Sequence, residues 1–323
     1  MGRTKLPGRG LALARPGVSV PRMMTPRFFM PALFALVTAA TVRAETAAGN
    51  YQVVENWAQF PAGVTAWSPA TGVDLDAQGN IYVFHRHPAM PIMAFDRNGK
   101  FLRAWGEGMF KTTHFLRTDP EGNVWVTDRG LHQVFKFSPA GKLLLTLGRK
   151  GVVGDNESHD AFNGVADLVI AKNGDIFIAD GESTNTRVVK YSKEGKFVSW
   201  WGGLGKEPGK FDEPHSIAID TEGRLYVGDR RNRRVQVFDQ TGKFLQQWTH
   251  FGTPWGVFVK GDRLYVVDGT EANCLYIAST KDGRILDKVE GLKNATAVTV
   301  DAQGAIYIGE VNGANVRKLV PRH

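Results

Sequence analysis

Asp220-Thr-Glu-Gly-Arg-Leu-Tyr-Val227 is a turn closed by glycine that runs straight into an apolar strand, and it does not stand alone. The phrase recurs as Asp76-Ala-Gln-Gly-Asn-Ile-Tyr-Val83, Asp119-Pro-Glu-Gly-Asn-Val-Trp-Val126, Ala171-Lys-Asn-Gly-Asp-Ile-Phe-Ile178 and Asp301-Ala-Gln-Gly-Ala-Ile-Tyr-Ile308. A shortened copy is Lys260-Gly-Asp-Arg-Leu-Tyr-Val266. The turn glycines Gly79, Gly122, Gly174, Gly223, Gly261 and Gly304 lie 43, 52, 49, 38 and 43 residues apart, a period that marks an array of supersecondary units.

After each phrase come a second strand, a second glycine turn and a third strand, as in His132-Gln-Val-Phe-Lys-Phe137, Gly141 and Lys142-Leu-Leu-Leu-Thr-Leu147. Before it sits another apolar segment such as Ser216-Ile-Ala-Ile219, so one repeat supplies four antiparallel strands, the content of one propeller blade. Six repeats predict an all-β, six-bladed β-propeller filling residues 45–323. The sixth repeat breaks off after Val316-Arg-Lys-Leu-Val320 without an outer strand. Tyr51-Gln-Val-Val-Glu-Asn-Trp57 resembles the outer strands Phe101-Leu-Arg-Ala-Trp105 and Phe244-Leu-Gln-Gln-Trp248, and is expected to close blade six. Such closure joins the two ends and removes a free sheet edge.

The net charge of +8 disperses once it is located. Residues 1–44 hold seven lysines and arginines and no acid, which leaves 33 basic against 32 acidic residues in the remainder. A phosphate-tracking surface is therefore not expected, and no nucleic-acid partner with it. The first 44 residues read as a signal peptide: a basic stretch, an apolar run from Phe28 to Val42, and Val42-Arg-Ala44 as the cleavage site. The run, interrupted by Pro31, is short of the about 20 apolar residues of a membrane span. Membrane contact is thus expected only through an uncleaved leader, and the mature protein is expected in the periplasm or secreted. Cys274 is the single cysteine, so no intrachain disulfide forms, and its strand neighbours predict a buried, inert thiol. No phosphate loop, nucleophile elbow or paired-cysteine metal motif occurs.

In a propeller the innermost strands line the axis, so equivalent positions form rings. One ring collects Thr71, His114, Ala166, His215, Trp255 and Thr296. Its two histidines belong to blades two and four, which with blade six sit about 120° apart, an arrangement suited to a metal with an open position. Blade six supplies Thr296, so Asp167, a loop histidine (His85, His87 or His159) or water would have to complete the shell. The same histidines also read as hydrogen-bonding channel residues without metal. A second ring, just beyond the second strand of each blade, carries Arg86, Arg129 and Arg230, suited to a carboxylate of a small molecule or peptide. Pairing with Asp128 or Asp229 is the alternative use of Arg129 and Arg230. The Gly154–Asp160 stretch reads as a solvated loop without calcium spacing, and the run Arg230-Arg-Asn-Arg-Arg234 as a solvated tip.

The repeats resemble NHL repeats, and residues 82–319 resemble the peptidyl-alpha-hydroxyglycine alpha-amidating lyases. The likeness rests on Phe84-His-Arg86, Gly122-Asn-Val-Trp-Val-Thr-Asp128, His132-Gln-Val-Phe-Lys-Phe137, Leu145-Thr-Leu-Gly148, Gly195-Lys-Phe-Val198, Pro214-His-Ser-Ile217, Asp229-Arg230 and Ile306-Tyr-Ile-Gly309. The resemblance implies zinc-assisted cleavage of a C-terminal alpha-hydroxyglycine to glyoxylate and a peptide amide. It implies His114 and His215 as zinc ligands, and Arg86 and Arg230 as catalytic and substrate-binding arginines; Arg129 and Asp167, from the reading of the rings, are expected to bind substrate beside them. Two departures are visible. Ala295-Thr-Ala297 stands where the family carries Pro-His-Asp, which removes the third histidine and an acid of a structural calcium site, so calcium is not expected. Asp180-Gly-Glu182 stands where the family has Asp-Gly-Tyr, leaving Glu182 or Ser183 at the place of the proton-handling tyrosine. The alternative reading is a non-catalytic propeller that binds an anion, a peptide or a protein partner.

Overall fold

The second strand of each repeat is buried along its whole length except at Arg263 of blade five, as in Val124–Asp128 and Leu225–Asp229, whereas the outer strands Phe101–Trp105 and Leu143–Leu147 are largely open to solvent. That gradient is what a blade requires, because its middle strands are covered on both faces by neighbouring blades. The computed structural model describes residues 50–322, and the leader reading therefore lies outside the described residues. It contains six four-stranded antiparallel sheets and, among the described residues, no helix.

Each sheet runs from an inner strand outward in chain order except one. In blade six Tyr51–Val53 pairs with Asn315–Pro321, with Tyr51 opposite Pro321 and Val53 opposite Leu319, so the closure expected from the sequence is present. The closing strand is shorter than expected. Asn56 takes a left-handed φ of 50°, the chain turns, and Trp57 swings into the core, where its Nε1 donates to the Val316 carbonyl at 2.7 Å. The core itself is a ring of inter-blade layers. Phe177 and Ala179 of blade three, for example, pack with Ile217, Leu225, Val227 and Phe238 of blade four.

The repeated phrase has a common local cause. The Asp220 carboxylate accepts from the Glu222 and Arg224 amides, closing the turn, and from the Tyr226 hydroxyl at 2.9 Å. Asp76 with Tyr82, Asp119 with Trp125 and Asp301 with Tyr307 repeat the last bond. Blade three has Ala171 in place of the aspartate, and there the aromatic is Phe177, with no hydroxyl to satisfy.

A register shift falls at the start of all six inner strands, for instance between Thr113 and Leu116 and between Pro214 and Ser216. Such bulges re-aim a side chain. The re-aimed residues are those of the ring Thr71, His114, Ala166, His215, Trp255 and Thr296.

Candidate metal and anion site

His114 and His215 are each the second residue of an inner strand, Thr113–Thr118 and Pro214–Ile219, and their rings meet edge to face with centroids 5.0 Å apart. Each leans on the bulge of the next blade. His114 Nδ1 lies 3.0 Å from the Ala166 carbonyl oxygen, and His215 Nδ1 lies 2.6 Å from that of Trp255. A carbonyl only accepts, so both Nδ1 atoms carry hydrogen, and in the neutral rings it is the Nε2 atoms that offer a lone pair toward the axis.

What they face is Glu182. Its Oε1 stands 2.8 Å from His215 Nε2 and 3.6 Å from His114 Nε2. The side chain, 4 % exposed, also accepts from Arg230 Nη1 at 3.0 Å on Oε1 and from Arg129 Nη1 at 2.7 Å on Oε2. Burial works against the carboxylate, and it is positive charge on the facing His114 and His215 that outweighs it and holds the group well below the usual carboxylate range. Burial also brings the His215 imidazole down to about 4, so that ring is neutral near neutral pH. A neutral imidazole lone pair and a carboxylate oxygen 2.8 Å apart are two acceptors in contact, and His215 Nε2 is in no hydrogen bond. Such a contact is favourable only with a cation or proton between the atoms. His114, Glu182 and His215 bring one ligand atom each within 4.8 Å of one another, and this set fits a metal ion.

Arg230 is the hinge of the electrostatic frame. Its guanidinium stacks 4.4 Å above the Trp255 ring, and its second Nη bonds Glu213 Oε1. Glu213 holds a φ of 78°, at the place before the inner strand where blade three has Gly164 (φ 78°) and blade six Asn294 (φ 52°). Glycine and asparagine take that conformation cheaply and glutamate does not, at a cost on the order of 1–2 kcal/mol. The strain keeps an acid against Arg230.

The remaining expected residues are dispersed. Asp167 does not join the cluster: its carboxylate is fully buried and taken up by Arg117 Nε at 3.0 Å and by the Leu168 and Ile217 amides. Arg117 reaches on to the Val257 carbonyl at 3.1 Å and so braces blades two, three and five across the axis. None of the loop histidines completes the shell. His85 is enclosed between the Ser68 amide and the Met90 carbonyl, His87 Nδ1 accepts from Ala89 and Met90, and His159 stacks on Phe197. Thr296 Oγ1 is buried without a partner. Asp128 and Asp229 do not pair with Arg129 and Arg230, because they are spent on the Lys111, Thr112, Leu131 and Asp212 amides and on Arg234. The arginine run is not a solvated tip throughout. Arg234 is buried on Asp229, and Arg230 faces the axis, while Arg231 and Arg233 are exposed. Cys274 is buried, and its thiol is pushed up by burial. Arg86 is exposed and lines a separate cavity of about 730 Å3 with Lys111 and Arg129.

The sequence model of the NHL repeat matches residues 211–238, which cover most of blade four, including Glu213, His215 and Arg230. The chain thus carries an NHL repeat within its six-bladed propeller. It is 33 % identical to mouse peptidyl-glycine alpha-amidating monooxygenase over 215 residues, 57 % of this chain and 22 % of that protein. It is 29 % identical to peptidyl-alpha-hydroxyglycine alpha-amidating lyase 1 of Drosophila melanogaster, covering 88 % of this chain and 63 % of that one. The chain thus spans about a fifth of the length of the mouse relative. Among solved structures a streptogramin B lyase superposes with a TM-score of 0.59 at 15 % identity, over 84 % of this chain and 98 % of that one, which speaks to the fold alone. The relationship to the amidating lyases is therefore one of modest identity over most of the propeller.

Proposed function

We propose that this NHL propeller is an exported, metal-assisted lyase in which Glu182 takes the third place beside His114 and His215. The observation that carries the reading is geometric: two backbone carbonyls fix both Nδ1–H groups, and the two Nε2 atoms converge on one buried carboxylate oxygen, at 2.8 Å and 3.6 Å. Zinc suits two imidazoles and one carboxylate, and ferrous iron is the competing ion for that donor set. When bound, the ion would act as a Lewis acid toward a hydroxyl or carbonyl oxygen of the substrate. Around it the chain's own residues orient and hold. Arg129 and Arg230 fix both oxygens of Glu182, Trp255 supports Arg230, and Thr296 offers an unpaired hydroxyl from blade six. The substrate class that fits the lineage is a hydroxylated amide or small hydroxy acid, broken at a carbon–nitrogen or carbon–oxygen bond.

The purified protein, loaded with zinc, is expected to release glyoxylate from N-benzoyl-alpha-hydroxyglycine above the level of a His114→Ala/His215→Ala variant. The rate is expected to lie orders of magnitude below that of an amidating lyase with three histidines and the tyrosine, because a ligand and a proton-handling group have changed. Equal release by the two proteins, on this substrate and on a panel of hydroxylated amides, would contradict the lyase reading. It would favour the second reading, a binding propeller without turnover, for which the closed Glu182–Arg129–Arg230 network also speaks. Export is tested separately by N-terminal sequencing of the extracytoplasmic protein, with Glu45 expected as its first residue.

A further inference from the structure

The axis has a second end. Arg117 stands three residues beyond His114 on the same inner strand, and its ion pair with Asp167 lies across the axis between the histidines and the opposite face. Beyond that pair the far ends of the inner strands enclose a pit of about 120 Å3, walled by Val169, Ile170, Ala218, Ile219 and Phe258, with Arg117 as its floor. Arg117 is 5 % exposed, and two of its three guanidinium nitrogens are spent, Nε on Asp167 and Nη2 on Asp167 and the Ile217 and Val257 carbonyls. Nη1 makes no hydrogen bond among the described residues. Two N–H donors of a buried cation thus face the pit without a protein acceptor, which is costly until a ligand or water supplies one. The pit's one carboxylate, Asp74, is already satisfied, Oδ1 by the Leu75 amide and the Thr299 hydroxyl and Oδ2 by the Thr118 amide.

Charge selects what fits. The Arg117 cation is met by Asp167 and Asp74 adds a further negative charge, so an anion is repelled by Asp74, a cation by Arg117, and a neutral acceptor by neither. At about 30 Å3 per water, the volume matches roughly four waters or one short branched acyl group. We infer that this pit is a second ligand-binding site, which takes the acyl end of a neutral amide or ester: the carbonyl oxygen accepts from Arg117 Nη1, and the branched chain packs on Ile170, Ile219 and Phe258. The rest of such a molecule has a path outward, because Asp74, Thr118 and Phe258 also line a groove of about 770 Å3 that runs between the turns at Asp76–Gly79 and Asp301–Gln303. The site goes beyond the lyase reading and does not depend on it, since the Arg117–Asp167 pair stands between the pit and the histidines.

The test titrates three probes of one shape, isobutyramide, isobutyrate and isobutylammonium, into the purified protein at pH 7 and follows the backbone amide signals of Ile219 and Phe258 by heteronuclear NMR. Isobutyramide is expected to shift both signals saturably with a Kd on the order of millimolar, as befits six non-hydrogen atoms, and to bind at least about fivefold more tightly than either charged probe. Ala218→Leu fills the pit without touching the Arg117–Asp167 pair and should weaken isobutyramide by about tenfold. The His114→Ala/His215→Ala variant should bind it as the wild type does, so that this site and the metal reading fail or stand separately. The inference is overturned if isobutyramide does not saturate below about 100 mM, if a charged probe binds as tightly, if Ala218→Leu leaves its affinity unchanged, or if the double histidine variant abolishes binding.

Discussion

Tyr226 and Phe177 occupy the same place in successive blades, and the difference between them is one hydroxyl matched by one carboxylate. Asp220→Ala alone strands the Tyr226 hydroxyl and two turn amides, and should cost about 2 kcal/mol in urea unfolding. Adding Tyr226→Phe reproduces the Ala171/Phe177 pair of blade three and should recover at least about 0.5 kcal/mol of that loss. Strict additivity of the two substitutions would sink the coupling. His85 supplies a pH signature. Burial, the largest cause, lowers its imidazole to about 4 from an ordinary value near 6.5. Between those two values the unfolded chain holds a proton that the folded chain does not, so stability falls as pH drops through that window. The loss is on the order of 2–3 kcal/mol by pH 4.5, and His85→Gln should flatten the curve by that amount. Both histidines of the ligand cluster were legible in the sequence because they recur at one repeat offset. Glu182 as their partner was not: its contacts with Arg129, His215 and Arg230 run between blades, and local spacing favoured Asp128 and Asp229, which the preceding loops consume.

Whole strands follow from the repeat more directly than side-chain partners do, because four apolar segments per period leave one way to cover both faces. Closure of blade six was readable from the missing outer strand and from the likeness of Tyr51–Trp57 to other outer strands. Its length was not, because the turn at Asn56 depends on Trp57 finding Trp67, Phe95 and Tyr307 in the core. A chain that begins at Val54 loses the Tyr51–Val53 pairing and bares the edge of Asn315–Pro321. It should melt several degrees lower and self-associate in light scattering, since an unpaired edge templates other chains. An unchanged melting temperature with a monodisperse sample would contradict the closure.

At the scale of the molecule, six bulged inner strands aim one side chain each at a common axis, and blade identity decides which chemistry arrives there. Two blades send imidazoles whose Nδ1 atoms are tied to the next blade, and the loop after a third sends the carboxylate that completes the set. Sequence order made the ring visible, and only the closed circle shows that Glu182 from blade three reaches between blades two and four. The central claim is that this trio holds one metal ion. It is tested most directly by elemental mass spectrometry on the purified, untagged protein beside the His114→Ala/His215→Ala and Glu182→Ala variants. The account predicts about one equivalent of zinc or iron in the wild type, absent from the double variant and strongly depleted in Glu182→Ala. A metal-free wild type, or an equivalent that survives the double histidine substitution, would contradict it.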